Sequence, residues 1–271
     1  MKPGVVVNGP DVVYGPLALL SGTFEEKVAK AARMGYRGIE FMVRDPSGLD
    51  WAWIKTTIQN AGLEVPQVVT GELFGADGLC LVTADDELYR RAEERTRSVI
   101  DLAAYLGAMV NIGRLRGQLN LLGDVADPYS IAVERLRKVA LYAAERGVKI
   151  TLEPLNRYES DFIPNALEGR RFIEAIGCDN VGLMLDLFHM NIEDASIEEG
   201  LRQAGELLWH LHIADTNRRY PGSGHMNYDS IFATLREMDY QGYVSAEMLP
   251  LPDPDTAAQK TIEFLRRYIS M

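Results

Sequence analysis

Four side chains that can bind a metal ion stand at the ends of four short apolar stretches in the second half of the chain. They are Glu153 in VKITLE, Asp186 in VGLMLD, His212 in WHLHIA and Glu247 in YVSAEM. Three carboxylates crowded into a place with little water raise one another's pKa values unless a cation compensates their charge. Three carboxylates and one imidazole suit Mn²⁺, Mg²⁺ or Co²⁺ better than structural Zn²⁺. The four residues therefore predict one divalent metal site with room for two neighbouring oxygens of a small molecule such as a sugar.

These side chains converge only if each stretch is a β-strand that ends at a common rim. Apolar stretches rich in β-branched residues alternate along the chain with amphipathic helical segments, and there are eight of each. The predicted strands cover residues 4–8, 38–42, 65–70, 108–113, 148–153, 181–186, 209–214 and 243–248. Thr23 and Glu26 have the spacing of a helix capping box, and Gly35 stands where a helix C-terminal glycine belongs. The pattern predicts a regular succession of strands and helices.

Repeated strand–helix alternation predicts a parallel sheet, because parallel neighbours need a crossover and the helix supplies it. Eight units favour an α/β fold closed into a (β/α)8 barrel, with residues 1–271 as one domain. An open doubly wound sheet is the alternative, but no GxGxxG or GxxxxGK[ST] loop follows an early strand. In a barrel, the long segments 71–84 and 214–227 become loops on the rim where catalytic groups gather.

The composition narrows the classes of partner. The formal net charge is −11, and a protein that grips nucleic acid normally has a surplus of Lys and Arg. The two cysteines, Cys80 and Cys178, are far apart and indicate neither a disulfide framework nor a thiolate zinc site. No apolar run has the length of a signal peptide or a transmembrane helix. We therefore expect a cytoplasmic protein that binds a small molecule, with no nucleic acid and no membrane as partner.

Two arginines follow the fourth predicted strand, in the segment NIGRLRG. Arg114 and Arg116 could reach the same rim as the metal ligands and bind a phosphate or carboxylate group of a substrate. Paired arginines near a surface are also commonly solvated or bound to neighbouring acids. The choice between a free sugar and a sugar phosphate therefore stays open.

Four segments resemble the sugar-phosphate isomerase/epimerase family of xylose-isomerase-like TIM barrels, and among them most closely the D-tagatose (ketose) 3-epimerases. The segments are EPLNRYES (153–160), DLFHMNIED (186–194), HIADTNRRYPGSG (212–224) and YVSAEM (243–248). No pocket motif of a named ketose epimerase stands around VTGELFG or NIGRLRG, so the particular sugar stays open. The resemblance also implies a homo-oligomer, either a dimer or a tetramer.

Carried over position by position, the resemblance implies a role for each of seven residues. Glu153, Asp186, His212 and Glu247 would bind one divalent metal, commonly Mn²⁺, with Mg²⁺, Co²⁺ or Zn²⁺ as alternatives. Glu153 and Glu247 would also be the acid/base pair. Glu159, His189 and Arg218 would hold hydroxyl and carbonyl oxygens of the substrate. A base would remove the proton next to a carbonyl, an acid would return one on the other face, and the metal would stabilise the enediolate. The expected reaction is C3 epimerisation of a ketose or ketose phosphate.

Other functions would use the same fold. An aldose–ketose isomerase, such as a hydroxypyruvate isomerase, would return the proton to the adjacent carbon, and an inosose dehydratase or isomerase is a further alternative. An apurinic endonuclease needs a trinuclear zinc site with several more histidines, yet the chain has only His189, His210, His212 and His225. A nuclease is therefore not expected. A non-catalytic sugar-binding barrel gives no reason for a full metal set with two opposed glutamates.

Overall fold

Eight parallel strands close into a barrel in chain order in the computed structural model, which describes residues 1–270. The strands are β1 (Lys2–Asn8), β2 (Gly38–Met42), β3 (Gln67–Val69), β4 (Met109–Ile112), β5 (Ile150–Leu152), β6 (Val181–Asp186), β7 (Leu208–Ile213) and β8 (Tyr243–Ala246). Pairing of β1 with β8 closes the sheet, from Lys2 opposite Tyr243 to Val5 opposite Ala246. This architecture confirms the predicted (β/α)8 TIM barrel.

Ten α-helices accompany the strands within residues 1–270. They are α1 (Phe24–Met34), α2 (Trp51–Asn60), α3 (Gly71–Gly75), α4 (Asp86–Leu106), α5 (Pro128–Ala144), α6 (Ala166–Ile176), α7 (Leu187–Glu193), α8 (Ile197–Ala204), α9 (Tyr228–Glu237) and α10 (Pro254–Leu265). Eight of them are the predicted crossover helices. The other two, α3 and α7, follow β3 and β6 directly at the rim and are too short to show a helical period in the sequence.

The start of α1 shows why these segments become helical where they do. The Thr23 hydroxyl accepts a hydrogen bond from the Glu26 N–H, and the Glu26 carboxylate accepts one from the Thr23 N–H. This capping box satisfies two donors that a helix start leaves unpaired. The helix ends at Gly35, whose φ of 98° is a left-handed conformation that glycine adopts without a steric cost. The predicted boundaries of α1 are thereby confirmed.

The strands separate an apolar layer from a polar interior. In β2, Ile39 and Phe41 are fully buried in the main hydrophobic core, whereas Glu40 between them hydrogen-bonds to Gln67 of β3. Alternate side chains of a strand point to opposite faces, so Glu40 must lie inside the barrel. The apolar layer stabilises the fold by removing hydrocarbon from water. The interior is left free for the polar groups that support the rim.

Within residues 1–270, no helix is both long enough and apolar enough to cross a membrane.

Candidate active site

The four predicted ligands meet at the carboxyl-terminal rim of the barrel. One ligand atom from each of Glu153, Asp186, His212 and Glu247 lies within 4.8 Å of those of the other three, and all four residues are buried. Asp186 is the last residue of β6 and pairs with His212 of β7. Glu153 and Glu247 each stand one residue beyond their strands, whose ends precede the predicted ones. Because the chain leaves the sheet at these two residues, both carboxylates lie over the mouth of the barrel.

Two observations show that these residues fit a cation. Asp186 Oδ2 and His212 Nδ1 are buried without a hydrogen-bond partner in the part of the chain described by the structure. A buried polar atom without a partner is costly, so such atoms are expected to meet a group from outside the chain. Their donor chemistry, oxygen from three carboxylates and nitrogen from one imidazole, is that of a divalent metal site.

The pKa values of the clustered side chains also indicate that the site fits a cation. Burial, and then the negative charge of Glu247, raise the pKa of Glu153 to about 8. Burial also raises the pKa of Asp186, to about 6, although Arg218 opposes the shift. For Glu247, burial favours a high pKa, but His212 and Arg218 outweigh it and hold the pKa below its ordinary range. The site thus carries more carboxylate than its own cations neutralise, and a bound cation would relieve the repulsion.

Glu40 holds the far side of the His212 ring, and the sequence reasoning missed it. His212 Nε2 lies 3.1 Å from Glu40 Oε2, while Nδ1 lies 3.6 Å from Glu247 Oε2 on the metal side. An ionised carboxylate only accepts hydrogen bonds, so the short contact to Glu40 puts the ring proton on Nε2. Nδ1 is then the ring nitrogen that faces Glu247 and could bind a cation. A single acid inside the apolar strand GIEFM was the signal that could have revealed this residue.

Glu40 is itself held by a buried network below the metal ligands. His210 Nε2 lies 2.8 Å from Glu40 Oε1, and Gln67 Nε2 donates to Glu40 Oε2 at 2.9 Å. The Thr151 hydroxyl donates to Gln67 Oε1 at 2.8 Å, which fixes the amide so that its N–H groups face Glu40. Glu40, His210 and His212 also bring three metal-competent atoms together. The network fixes the orientation of the His212 ring from four strands.

His189 presents one ring nitrogen to the rim. The backbone N–H of Asn156 donates to His189 Nδ1 at 3.4 Å, so Nδ1 is the acceptor and Nε2 carries the proton. Nε2 lies 3.7 Å from Glu153 Oε1 and 3.8 Å from Asp186 Oδ2. Burial, and then the charge of Arg218, hold the His189 pKa well below its usual value. A neutral imidazole N–H directed at the metal ligands can donate to a substrate oxygen.

Arg218 and Glu159 form an ion pair at the edge of the site. Arg218 Nη1 donates to Glu159 Oε1 at 2.9 Å, and Nη2 lies 4.0 Å from both Asp186 Oδ2 and Glu247 Oε2. The guanidinium also lies 4.5 Å from the centre of the Phe188 ring. Arg218 has φ of 57°, an uncommon conformation for a residue other than glycine. The structure thus brings together three residues expected to hold the substrate: Glu159, His189 and Arg218.

The two arginines of NIGRLRG have different surroundings. Arg114 lines the cavity beside the cluster. Arg116 is fully buried, and its guanidinium donates to the carbonyls of Glu153, at 2.5 Å, and of Phe162, at 3.0 Å. The structure therefore does not bring Arg116 to the cavity, in contrast to the expectation that both arginines reach a substrate. Arg116 links the end of β4 to the segment after β5, because its Nη1 and Nη2 groups donate to backbone oxygens of that segment.

A cavity of about 330 Å³ opens above the cluster. Glu153, Glu159, His189, Arg218 and Glu247 line one part of it, and Glu72, Asn111, Arg114 and apolar residues, among them Leu17, Met42, Val69 and Leu249, line the rest. The sequence reasoning missed Glu72 and Asn111, because both stand on segments without a recognised motif. The cavity combines a dense group of acid, imidazole and guanidinium side chains with an apolar wall, which is typical of a small-molecule site.

A family model for the xylose isomerase-like TIM barrel matches residues 28–268. L-ribulose 3-epimerase of Methylomonas sp. (strain DH-1) is 32% identical over 222 residues, which cover 81% of this chain and 76% of the relative. 3-Dehydro-D-guloside 4-epimerase of Escherichia coli (strain K12) is 37% identical over 221 residues, 79% of this chain and 83% of the relative. The crystal structure of D-psicose 3-epimerase with D-tagatose from Clostridium cellulolyticum H10 superposes over the whole of both chains with a TM-score of 0.82. Its identity of 24% supports the fold alone.

Proposed function

The chain belongs to the xylose isomerase-like TIM barrel family, and from that membership we propose that it is a divalent-metal-dependent ketose 3-epimerase. Carbohydrate epimerases among its relatives support the isomerase class. The observation that carries the proposal is the meeting of Glu153, Asp186, His212 and Glu247, whose ligand atoms lie within 4.8 Å of one another. In this proposal, residues 1–271 form one domain. The protein is cytoplasmic.

The four residues would hold one divalent cation, with Mn²⁺ preferred and Mg²⁺, Co²⁺ or Zn²⁺ as alternatives. The cation, when bound, would supply positive charge that stabilises an enediolate by roughly several kcal/mol. The oxygen-rich set and the unpartnered Asp186 Oδ2 support this assignment.

Glu153 and Glu247 exchange the proton of the reacting carbon. They come from the ends of β5 and β8, with β6 and β7 between them, and so reach a bound carbon from different sides. The carboxylate that faces the C3 proton removes it, and the other carboxyl group returns a proton to the opposite face. Positioned general acids and bases contribute about 10²- to 10⁴-fold each.

Glu159, His189 and Arg218 orient the substrate. The His189 Nε2–H donates to a substrate oxygen near Glu153 and Asp186, the residues it faces at 3.7 and 3.8 Å. Arg218 donates to a hydroxyl or carbonyl oxygen while Glu159 holds its guanidinium. Arg114 contacts the substrate from the other part of the cavity, which its position in the lining supports.

Proton exchange with solvent tests the proposal most directly. Ketoses, ketose phosphates and hydroxypyruvate are incubated in D₂O with the Mn²⁺-loaded enzyme, and deuterium at the reacting carbon and the product are measured. We expect deuterium at C3 together with the 3-epimer. An aldose product with deuterium at the adjacent carbon would instead identify an aldose–ketose isomerase. No exchange with any substrate would refute the proposal.

The glutamates are tested with Glu153→Gln and Glu247→Gln after the metal content of each variant has been restored and measured. Both variants should lose net epimerisation, because each direction needs a base and an acid. The variant that keeps the correct base should still exchange one epimer, and the other variant should exchange the opposite epimer. Near wild-type epimerisation in both metal-loaded variants would contradict the two-glutamate chemistry.

A second candidate is 4-epimerisation of a 3-keto-glycoside. This reaction is considered because the E. coli 3-dehydro-D-guloside 4-epimerase is 37% identical to the chain. The chemistry is the same, because the proton at C4 of a 3-keto sugar also lies next to a carbonyl. Adding 3-keto-glycosides to the D₂O assay distinguishes the two, since deuterium would then appear at C4.

A further inference from the structure

The part of the cavity formed after β3 and β4 carries two charged side chains with free hydrogen-bonding groups. Glu72 is the second residue of α3, after β3, and Arg114 follows β4. The metal ligands follow β5 to β8. In a barrel of eight strands, β3 lies across from β7 and β4 across from β8. Glu72 therefore lies across the mouth from His212, whereas Arg114 lies across from Glu247 and beside the end of β5.

Glu72 is built into the cavity wall. The residue is only 6% exposed, it lines the cavity, and among residues 1–270 its carboxylate has no hydrogen bond and no ion pair within 4.0 Å. Burial raises the pKa of Glu72, and Arg114 opposes that shift. A carboxylate that lines a small-molecule cavity without a partner in the chain is free to accept a hydrogen bond from a ligand.

Arg114 also lines the cavity and has no ion-pair partner among residues 1–270. Its guanidinium stacks over Phe74 of α3, 5.3 Å from the ring centre, and makes no ion pair within 4.0 Å to any described residue. A methyl group added at Gly75 would lie 3.3 Å from Arg114 Nη2 and 3.4 Å from Glu72 Oε1. The two heads thus lie near the same backbone position without forming an ion pair, and both residues line the cavity.

We propose that Glu72 and Arg114 form a distal subsite for the hydroxyl groups of an uncharged ketose chain, on the carbons beyond the reacting one. This inference rests on the proposed function. A hydroxyl both donates and accepts, so one can donate to Glu72 while accepting from Arg114. A terminal phosphate or carboxylate only accepts and would be repelled by Glu72. The pair thereby favours longer uncharged ketoses over ketoses with an anionic end. Arg114 would then bind a hydroxyl group rather than a phosphate or carboxylate.

The test is a series of ketoses of increasing length, with Mn²⁺ present. Erythrulose ends one carbon after C3, ribulose adds one carbon, fructose adds two, and fructose 6-phosphate carries an anion at the same end. The variants are Glu72→Leu, Glu72→Gln and Arg114→Met. Arg157→Met is the matched control, because Arg157 is an exposed arginine near the rim that pairs with Glu193 and does not line the cavity.

We expect Glu72→Leu and Arg114→Met to raise KM for fructose about tenfold or more, with kcat nearly unchanged, because hydrogen bonds to a charged group are lost far from the reacting carbon. KM for erythrulose should not change. Glu72→Gln should raise the efficiency with fructose 6-phosphate relative to fructose. The control should match the wild type throughout.

Equal losses of kcat/KM with erythrulose and with fructose would overturn the subsite. Such a result would mean that Glu72 affects the metal site or the fold. A wild-type preference for fructose 6-phosphate that Arg114→Met abolishes would also overturn the subsite in favour of an anion site. Calorimetric binding of the same sugars is measured alongside. If the wild type turns over no ketose, the proposed function fails. Tighter binding of fructose than of erythrulose, lost in Glu72→Leu, would still support the subsite, and equal binding would overturn it.

Discussion

Arg218 and Arg219 are neighbours in sequence with different surroundings. Arg218 pairs with Glu159 at 2.9 Å and reaches toward Asp186 and Glu247, whereas the side chain of Arg219 is exposed. We expect Arg218→Ala to lower kcat/KM by about 10- to 100-fold, since a hydrogen bond to a charged group contributes about 1.5–3 kcal/mol. Arg219→Ala should change it by less than about twofold. Steady-state kinetics with the best substrate provide the measurement, and equal, small effects would speak against a substrate role for Arg218.

Glu40 contributes through His212 rather than through the substrate. Without its carboxylate, the His212 ring loses the acceptor that fixes its proton on Nε2, and Nδ1 is no longer reserved for a cation. Glu40→Ala should weaken Mn²⁺ binding by about 10- to 100-fold, as is typical when the partner of a metal-binding histidine is removed. Calorimetric Mn²⁺ titration measures the affinity without reference to turnover.

The control for Glu40 is Thr96→Val. Thr96 is equally buried, on α4, and its hydroxyl donates to the Ala92 carbonyl away from the site. This variant should lower the melting temperature slightly and leave Mn²⁺ affinity unchanged. If Glu40→Ala also retained wild-type affinity, the buried network would serve the fold alone.

The segments that follow the strands set the positions of the side chains in the proposed active site. Arg116 binds the Glu153 and Phe162 carbonyls, and so fixes the exit of β5 from the end of β4. Asp215, fully buried after β7, accepts hydrogen bonds from the N–H groups of Thr216 and Gly222 and shapes the loop that carries Arg218. Buried polar contacts therefore hold the loops of this rim in place. They do for the loops what backbone pairing does for the strands.

The end of β4 approaches Glu153 so closely that only glycine fits there. A methyl group at Gly113 would lie 2.3 Å from Glu153 Oε2, which is much shorter than a van der Waals contact. Gly113→Ala should displace the carboxylate and lower kcat on the order of 100-fold, because small misplacements of reacting groups have effects of that size. Gly48→Ala is the matched control, since an added methyl group there meets nothing within 4 Å. Kinetics and melting temperature are compared, and an active Gly113→Ala enzyme would show that Glu153 does not need this position.

The crowded carboxylates of the site lower the stability of the folded chain, and a bound cation would relieve that loss. The pKa values of Glu153, about 8, and Asp186, about 6, lie above those of the unfolded chain. An acid with a raised pKa binds more protons in the folded state, so its contribution to stability falls as pH rises from about 4 through the folded pKa. The unfolding free energy of chelator-treated protein should therefore contain a term that decreases between pH 5 and pH 8.

Metal binding should reverse this loss. Free Mn²⁺ at 100 times its Kd adds about 2.7 kcal/mol to the unfolding free energy. The gain should be larger at pH 8 than at pH 6, because the ligands must lose their protons to bind a cation. Calorimetric melting with Mn²⁺ and with chelator measures both effects, and an equal melting temperature in the two would contradict the metal site.

The matched variant for this experiment is Glu153→Gln, which removes one of the repelling charges with little change of shape. In chelator at pH 8 it should melt above the wild type. Its gain from Mn²⁺ should be smaller than that of the wild type, because one ligand charge is missing. A chelator-treated variant that melts below the wild type at pH 8 would show that burial of the charged Glu153 is not destabilising.

Local patterns in the sequence were sufficient to predict the order of strands and helices, the capping box of α1 and the types of residue that meet at the rim. These follow from local periodicity and from the position of polar residues at strand ends, which a linear pattern records. The contacts of the folded chain were needed to show that Arg114 lines the cavity while Arg116 is buried, that Glu40 orients His212, and that Glu72 faces the cluster across the mouth. Each of these depends on contacts between segments far apart in the chain, such as β2 with β7. Barrel closure sets such distances, and no local pattern encodes them.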